Sequence, residues 1–122
     1  MKAILPFPPS KLNPNRSKGN HWGSTSRLAK QYRADCHTAA IAAGWRGLDV
    51  RGFDVLVAFH PPTNRKRDKD NLIAAFKHGQ DGLCAAWGVD DSTLNDRISH
   101  VIREARRGGD VEIILTRSEC DV

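Results

Sequence analysis

Apolar and polar residues alternate most regularly over residues 50–60, VRGFDVLVAFH, where Phe53, Val55, Val57 and Phe59 fall on one face and predict the principal strand. Residues 2–7 read as a first strand, stopped by Pro8 and Pro9, whose missing amides favour a loop or a sheet edge. Near the other end, residues 97–105 and 110–116 flank Gly108 and Gly109, which predicts a β-hairpin. Two stretches follow helical spacing instead. In the first, Leu28, Tyr32, Cys36 and Ala39 form one stripe between the cap candidates Ser24, Thr25 and Ser26 and a terminating Gly44. In the second, Ile73, Phe76, Leu83 and Trp87 share one face, while Asp70, Ala74, Lys77 and Asp81 share another. Gly79 and Gly82 each cost a helix about 1 kcal/mol relative to Ala, which leaves a continuous helix and a break near residues 78–81 both open. The order strand, helix, strand, helix, hairpin argues for an α+β domain, a mixed β-sheet with two helices on one face.

Size and composition narrow this picture only slightly. A chain of 122 residues holds one domain with a modest core that oligomerisation would help, and residues 117–122 read as a frayed tail. With 39% hydrophobic residues it has enough apolar material to fold. The net charge of +5 favours an acidic partner such as nucleic acid, with an anionic membrane surface left open. No apolar run is long enough to span a bilayer and the first residues lack a signal-peptide core, so the cytoplasm is expected. Cys36, Cys84 and Cys120 show no paired spacing and read as reduced thiols, and the five histidines form no zinc-ligand pattern.

The chemistry concentrates in RKRDKDNLIAAFKHGQDGLCAAWGVDDS, residues 65–92. In an extended segment Asp68 and Asp70 lie on one face, where one hard cation can bridge them; Asp90 and Asp91 form a second acidic cluster. Mg²⁺, with Mn²⁺ as a substitute, suits such oxygen donors. The same residues also serve as structural caps: Asp70 or Asn71 at a helix start, Asp91 or Ser92 at a turn. Arg65, Lys66, Arg67 and Lys69 surround the first pair, as a site receiving a polyanion requires, although a solvated charged loop would look the same. Lys77, on the stripe with Asp70, can offset charge on a phosphate or stand as an ordinary surface lysine. The polar loop of residues 10–24 adds Arg16 and Lys18 as further phosphate contacts and Trp22 as a stacking or core residue.

This stretch resembles the RusA family of Holliday junction resolvases. The basic segment runs into Asp68, Lys69, Asp70, Asn71 and Leu72, then come Lys77, the Asp81-Gly82-Leu83 turn and the pair Asp90 and Asp91; an apolar strand ending in Pro6, Phe7, Pro8, Pro9 and Ser10 matches the family's other signature. Ala74 stands where the family lysine usually follows, Thr93 stands in place of the usual Gln, and the spacing from Leu72 to Asp81 is longer. The resemblance implies a RusA-like mixed-sheet fold, a two-fold dimer and Mg²⁺-dependent paired cleavage of four-way DNA junctions. It assigns Asp68, Asp70 and Asp91 to the metal, with Asp90 as a further ligand candidate and Asp81 beside it. Lys77 assists the chemistry, and Arg65, Lys66, Arg67, Lys69, Arg16 and Lys18 contact DNA. No nucleotide cofactor and no membrane partner are implied, and the family's frequency on phages points to recombination or repair. Two other readings use the same residues: a noncatalytic, structure-selective DNA-binding protein, and a less selective metal nuclease acting on flaps or nicks.

Overall fold

The computed structural model describes residues 1–12 and 22–118, with the side chains of residues 22–24 excepted. Four strands form one mixed sheet: β1 (Lys2–Pro6), β2 (Phe53–His60), β3 (Ile98–Ile102) and β4 (Asp110–Arg117), in the spatial order β1-β4-β2-β3. Helices α1 (Trp22–Ala42) and α2 (Lys69–Trp87) complete the domain, with short 3₁₀ turns at Ser10–Leu12 and Asp91–Leu94. The alternation read along β2 places Val55, Val57 and Phe59 in the core, fully buried with Leu5, Val111 and Ile113 of the adjoining strands. Tyr32 and Cys36 of α1 and Phe76 and Leu83 of α2 close over them. Complete burial of side chains this size stabilises the fold by roughly 1.5–3 kcal/mol apiece, and the edge-on contact of Phe59 with Phe76, ring centroids 5.7 Å apart, joins α2 to the central strand.

The expected hairpin does not form. β2 lies between β3 and β4, pairing parallel to β3, with Val55 opposite Ile98, and antiparallel to β4, with His60 opposite Asp110. Gly108 and Gly109 still make a turn, both at positive φ, but it carries the chain across the end of β2. A Cβ on Gly109 would lie 2.9 Å from Pro62 and 3.2 Å from Phe7, so the turn is pressed against the ends of β1 and β2. Turn chemistry alone cannot tell a hairpin from such a crossing, because both need the same backbone conformation. The predicted tail is also shorter, since Arg117 is still paired in β4 opposite Phe53; residues 119–122 lie outside the described ones.

The two glycines of the second helix do not break it either. α2 continues to Trp87 and ends at Gly88, whose φ of 78° makes the left-handed cap. A Cβ on Gly79 would come within 2.7 Å of the Tyr32 ring, and one on Gly82 within 2.2 Å of the Arg33 carbonyl oxygen. Both residues are small because α1 crosses there, and tertiary contact outweighs their poor helix propensity. α1 starts at Trp22, ahead of the proposed caps at Ser24, Thr25 and Ser26, and its buried stripe of Tyr32 and Cys36 continues to Ala40 rather than to the half-buried Ala39. Among the described residues no helix is long and apolar enough to cross a membrane.

Replacing Gly82 by Ala should favour an isolated helix yet destabilise the protein by about 1–3 kcal/mol, because the methyl group forces the helices apart. Urea unfolding monitored by circular dichroism measures the difference; a variant as stable as the parent would show that the crossing has slack.

Candidate metal and nucleic-acid site

α2 carries the site on its exposed side. Asp70, Ala74 and Lys77 are exposed and Asp81 half-buried, whereas Phe76, Leu83 and Trp87 are buried. The stripe and the core face are therefore those read from the periodicity. Asp68 is the N-cap: its backbone is extended, and Oδ1 accepts the Asp70 backbone N–H at 2.9 Å. The cap is thus two residues earlier than Asp70 and three earlier than Asn71, and the fold gives Asp68 a structural duty alongside any chemical one. Such a cap contributes about 1 kcal/mol.

The basic segment ahead of it divides by role. Arg65 and Lys66 are exposed. Arg67 turns inward: its Nη1 donates to the carbonyl oxygens of Arg65 (2.9 Å) and Thr63 (3.2 Å), and its Nη2 to Thr63 Oγ1 at 3.3 Å. It shapes the loop that presents its neighbours. Lys69 Nζ reaches the His100 carbonyl oxygen at 3.4 Å, which ties the start of α2 to β3. Arg16 and Lys18 lie outside the described residues.

Asp91 begins the Asp91–Leu94 turn, and the turn is fixed from two sides. Leu94 is fully buried beneath it. Arg97 donates to the carbonyl oxygens of Thr93 (2.8 Å), Val50 (3.0 Å) and Phe53 (3.2 Å), which fastens the turn to the start of β2. Held there, Asp91 Oδ2 accepts a hydrogen bond from Lys77 Nζ, and Oδ1 accepts one from Gln80 Nε2. The Lys77 bond holds the Asp91 carboxyl below the usual carboxylate range, and the same bond pushes the Lys77 ammonium up. Asp90 accepts from Ser92 Oγ at 2.9 Å. A depression of about 290 Å³ beside them is lined by Arg33, Asp81, Cys84, Asp90 and Asp91, among others. Burial pushes the Cys84 thiol up to about 12, so it stays protonated.

The structure therefore brings together Asp68 with Asp70, and Lys77 with Asp91. The two pairs occupy one side of α2, separated along its axis by about 10 Å for the seven residues from Asp70 to Lys77. Among the described residues no three His, Cys, Asp or Glu side chains gather closely enough to hold an ion. The donors fit Mg²⁺ in kind, being hard and accessible carboxylates at a helix start, but they are not a preformed cage. Gln80 and Arg97 are the residues the sequence reading missed. Gln80 left a weak trace, an amide side chain three residues beyond Lys77; Arg97 left none, because its partners are backbone carbonyls, two of them distant in the chain.

A protein of Xylella fastidiosa (strain Temecula1), described as uncharacterized, is 38% identical over 117 residues, spanning 92% of this chain and 73% of that protein. The chain belongs to that protein's family. No family model matches it. The resemblance to RusA rests on the residue pattern alone.

Asp91 has a depressed folded pKa, so the stabilising pair with Lys77 is fully present above the unfolded carboxylate pKa, about pH 4, and is lost as pH falls through the folded value. Replacing Lys77 by Met should bring the Asp91 titration back toward the ordinary range, visible in the carboxyl-carbon NMR shift between pH 2 and 6. An unchanged Asp91 titration would mean that the ammonium is not its partner in solution.

Proposed function

We propose that this chain is a Mg²⁺-dependent, structure-selective endodeoxyribonuclease that resolves four-way DNA junctions by paired phosphodiester hydrolysis. The observation that carries the reading is the Lys77–Asp91 pair on the same exposed side of α2 that starts with Asp68 and Asp70. A lysine beside acidic oxygens, next to an exposed basic loop, suits attack on a phosphodiester.

Asp68 and Asp70 are the residues that would hold the ion; Asp91, paired with Lys77 further along α2, would join them only by leaving that pair. When bound, Mg²⁺ supplies charge neutralisation at phosphate and activates water. Lys77 is a cation at neutral pH in any case, and its bond to Asp91, which raises its pKa further, fixes where that cation stands. Gln80 and the Arg97 clamp orient Asp91. Arg65 and Lys66 hold the DNA backbone through charge, which makes affinity fall as salt rises.

Two cuts on opposed strands call for two sites related by symmetry, and a second copy of the chain provides them. The sheet face away from the helices is where this reading seats that copy. Ile4 there is 49% exposed, and Leu56, Val101 and Ile114 are only half-buried beside it. Sedimentation equilibrium should report a dimer for the parent and a shift to monomer for Ile4→Glu; a monomeric parent at micromolar concentration would overturn the arrangement.

A noncatalytic junction-binding protein is the second reading, favoured by the cap made by Asp68 and by the lack of a three-carboxylate cluster among the described residues. Cleavage of a labelled four-way junction against matched linear duplex, with Mg²⁺ or EDTA, separates the two. Symmetric nicks on the junction alone are expected, lost in EDTA and reduced more than about a hundredfold in Asp70→Asn. Asp68→Asn should cut as poorly while keeping its stability, since Asn caps a helix as well as Asp does. Binding without cutting in any divalent metal would establish the noncatalytic reading, and equal cutting of both substrates would retain the hydrolysis but remove the junction selectivity.

A further inference from the structure

A cleft of about 640 Å³ opens beside Asp68, on the side of α2 away from Lys77's partner, and none of the roles above uses it. Its volume is within the roughly 300–1,000 Å³ of sites that take small molecules. The floor is apolar: Leu72 and Ala75 of α2, both buried. The facing wall is apolar, the aromatic ring of Phe7 with the proline rings of Pro8 and Pro9 after β1 and Pro62 after β2. Gly109 packs against Pro62 and Phe7 with no room for a Cβ, so the turn after β3 braces that wall. Tyr32 Oη braces it from below, donating to the Pro6 carbonyl oxygen at 2.7 Å. The rim is different in kind, with the exposed cations Arg65 and Lys66 and the hydroxyls of Ser10 and Thr63.

An apolar wall with one aromatic face, a few hydroxyls and a cationic mouth suit a planar heterocycle attached to a phosphodiester. An apolar peptide side chain would leave the cations without a partner, and a bare phosphate would leave the ring wall without one. Duplex DNA cannot fill the cleft, because its bases are stacked and paired; a base must leave the stack first, which is least costly where pairing is already disrupted.

We propose that this cleft receives one unstacked nucleobase from the bound DNA strand, its flanking phosphates held by Arg65 and Lys66, beside Asp68 at the start of α2. The inference rests on the nuclease reading for the identity of the strand. It adds a source of nucleotide preference that neither the carboxylates nor the backbone-contacting cations supply, since phosphate contacts carry no sequence information.

The test is binding in EDTA, where no cut is needed, of four-way junctions in which each nucleotide around the branch is replaced in turn by an abasic site. One position should stand out, weakening binding about tenfold, the size expected for losing one base-stacking contact. Pro62→Ala, which removes part of the ring wall, and Ala75→Leu, which fills the floor, should weaken the intact junction similarly and show no further loss at that abasic position. Far-UV circular dichroism confirms that each variant folds; if Ala75→Leu does not, Pro62→Ala at the exposed wall carries the comparison. Losses under twofold at every position, or a sensitive position that stays equally sensitive in Pro62→Ala, would overturn the proposal. Junctions cut normally without any sensitive position would remove the cleft's role and leave the nuclease reading intact. A sensitive position in a protein that cuts nothing would keep the cleft and remove the nuclease.

Discussion

The approach of two helix backbones at Gly82 and Arg33 sets the geometry of this domain. With no side chain between them, α1 and α2 lie close enough to fix the rotation of α2 about its own axis. Phe76, Leu83 and Trp87 must then point at the sheet, and Asp70, Ala74 and Lys77 must point away. A helix free to roll by one residue, about 100°, would carry Lys77 out of reach of Asp91. The site's electrostatics are thus a consequence of packing on the opposite side of the same helix. Trp45, 5.7 Å from Trp87 between ring centroids, secures the far end of α2, and the Asp68 cap secures the near end.

Much of this was legible in the sequence because it depends on local periodicity. The alternation from Phe53 to Phe59 identified the central strand and its buried face, and steps of three and four residues separated the acidic and apolar sides of α2. Long-range constraints were less visible. Gly79 and Gly82 look like a helix break until α1 is known to cross them, and Gly108 and Gly109 look like a hairpin turn until β2 is known to occupy the space between β3 and β4. At the site, residue types showed which groups carry charge but not which of them meet. The pairing of Lys77 with Asp91 depends on the buried Leu94 and on three carbonyl oxygens gathered by Arg97, and no spacing rule encodes those contacts.

The four cations of the basic segment illustrate the same limit. In sequence they are equivalent neighbours of Asp68. In the fold, Arg67 is consumed in closing its own loop and Lys69 leans on β3, which leaves Arg65 and Lys66 facing outward. Arginine's rigid fork suits the inward task, because three acceptors along a turn can be satisfied by one planar group. Charge density along a chain therefore overstates the number of cations available to a polyanion, and the shape of the loop decides which remain.

The sheet order has a consequence for how the protein comes into being. β4 is interior, with β1 on one side and β2 on the other, so Lys2 pairs with Ile114 and Leu56 with the same residue. During synthesis β1 and β2 emerge long before the strand that joins them. Until then their hydrogen-bonding edges are unpaired, and the contacts that would reward folding are among the most distant in the chain. Such a topology delays the pairing of β1 and β2 until β4 is made, and in that interval the nascent chain carries two apolar strands in need of protection from their counterparts on other chains.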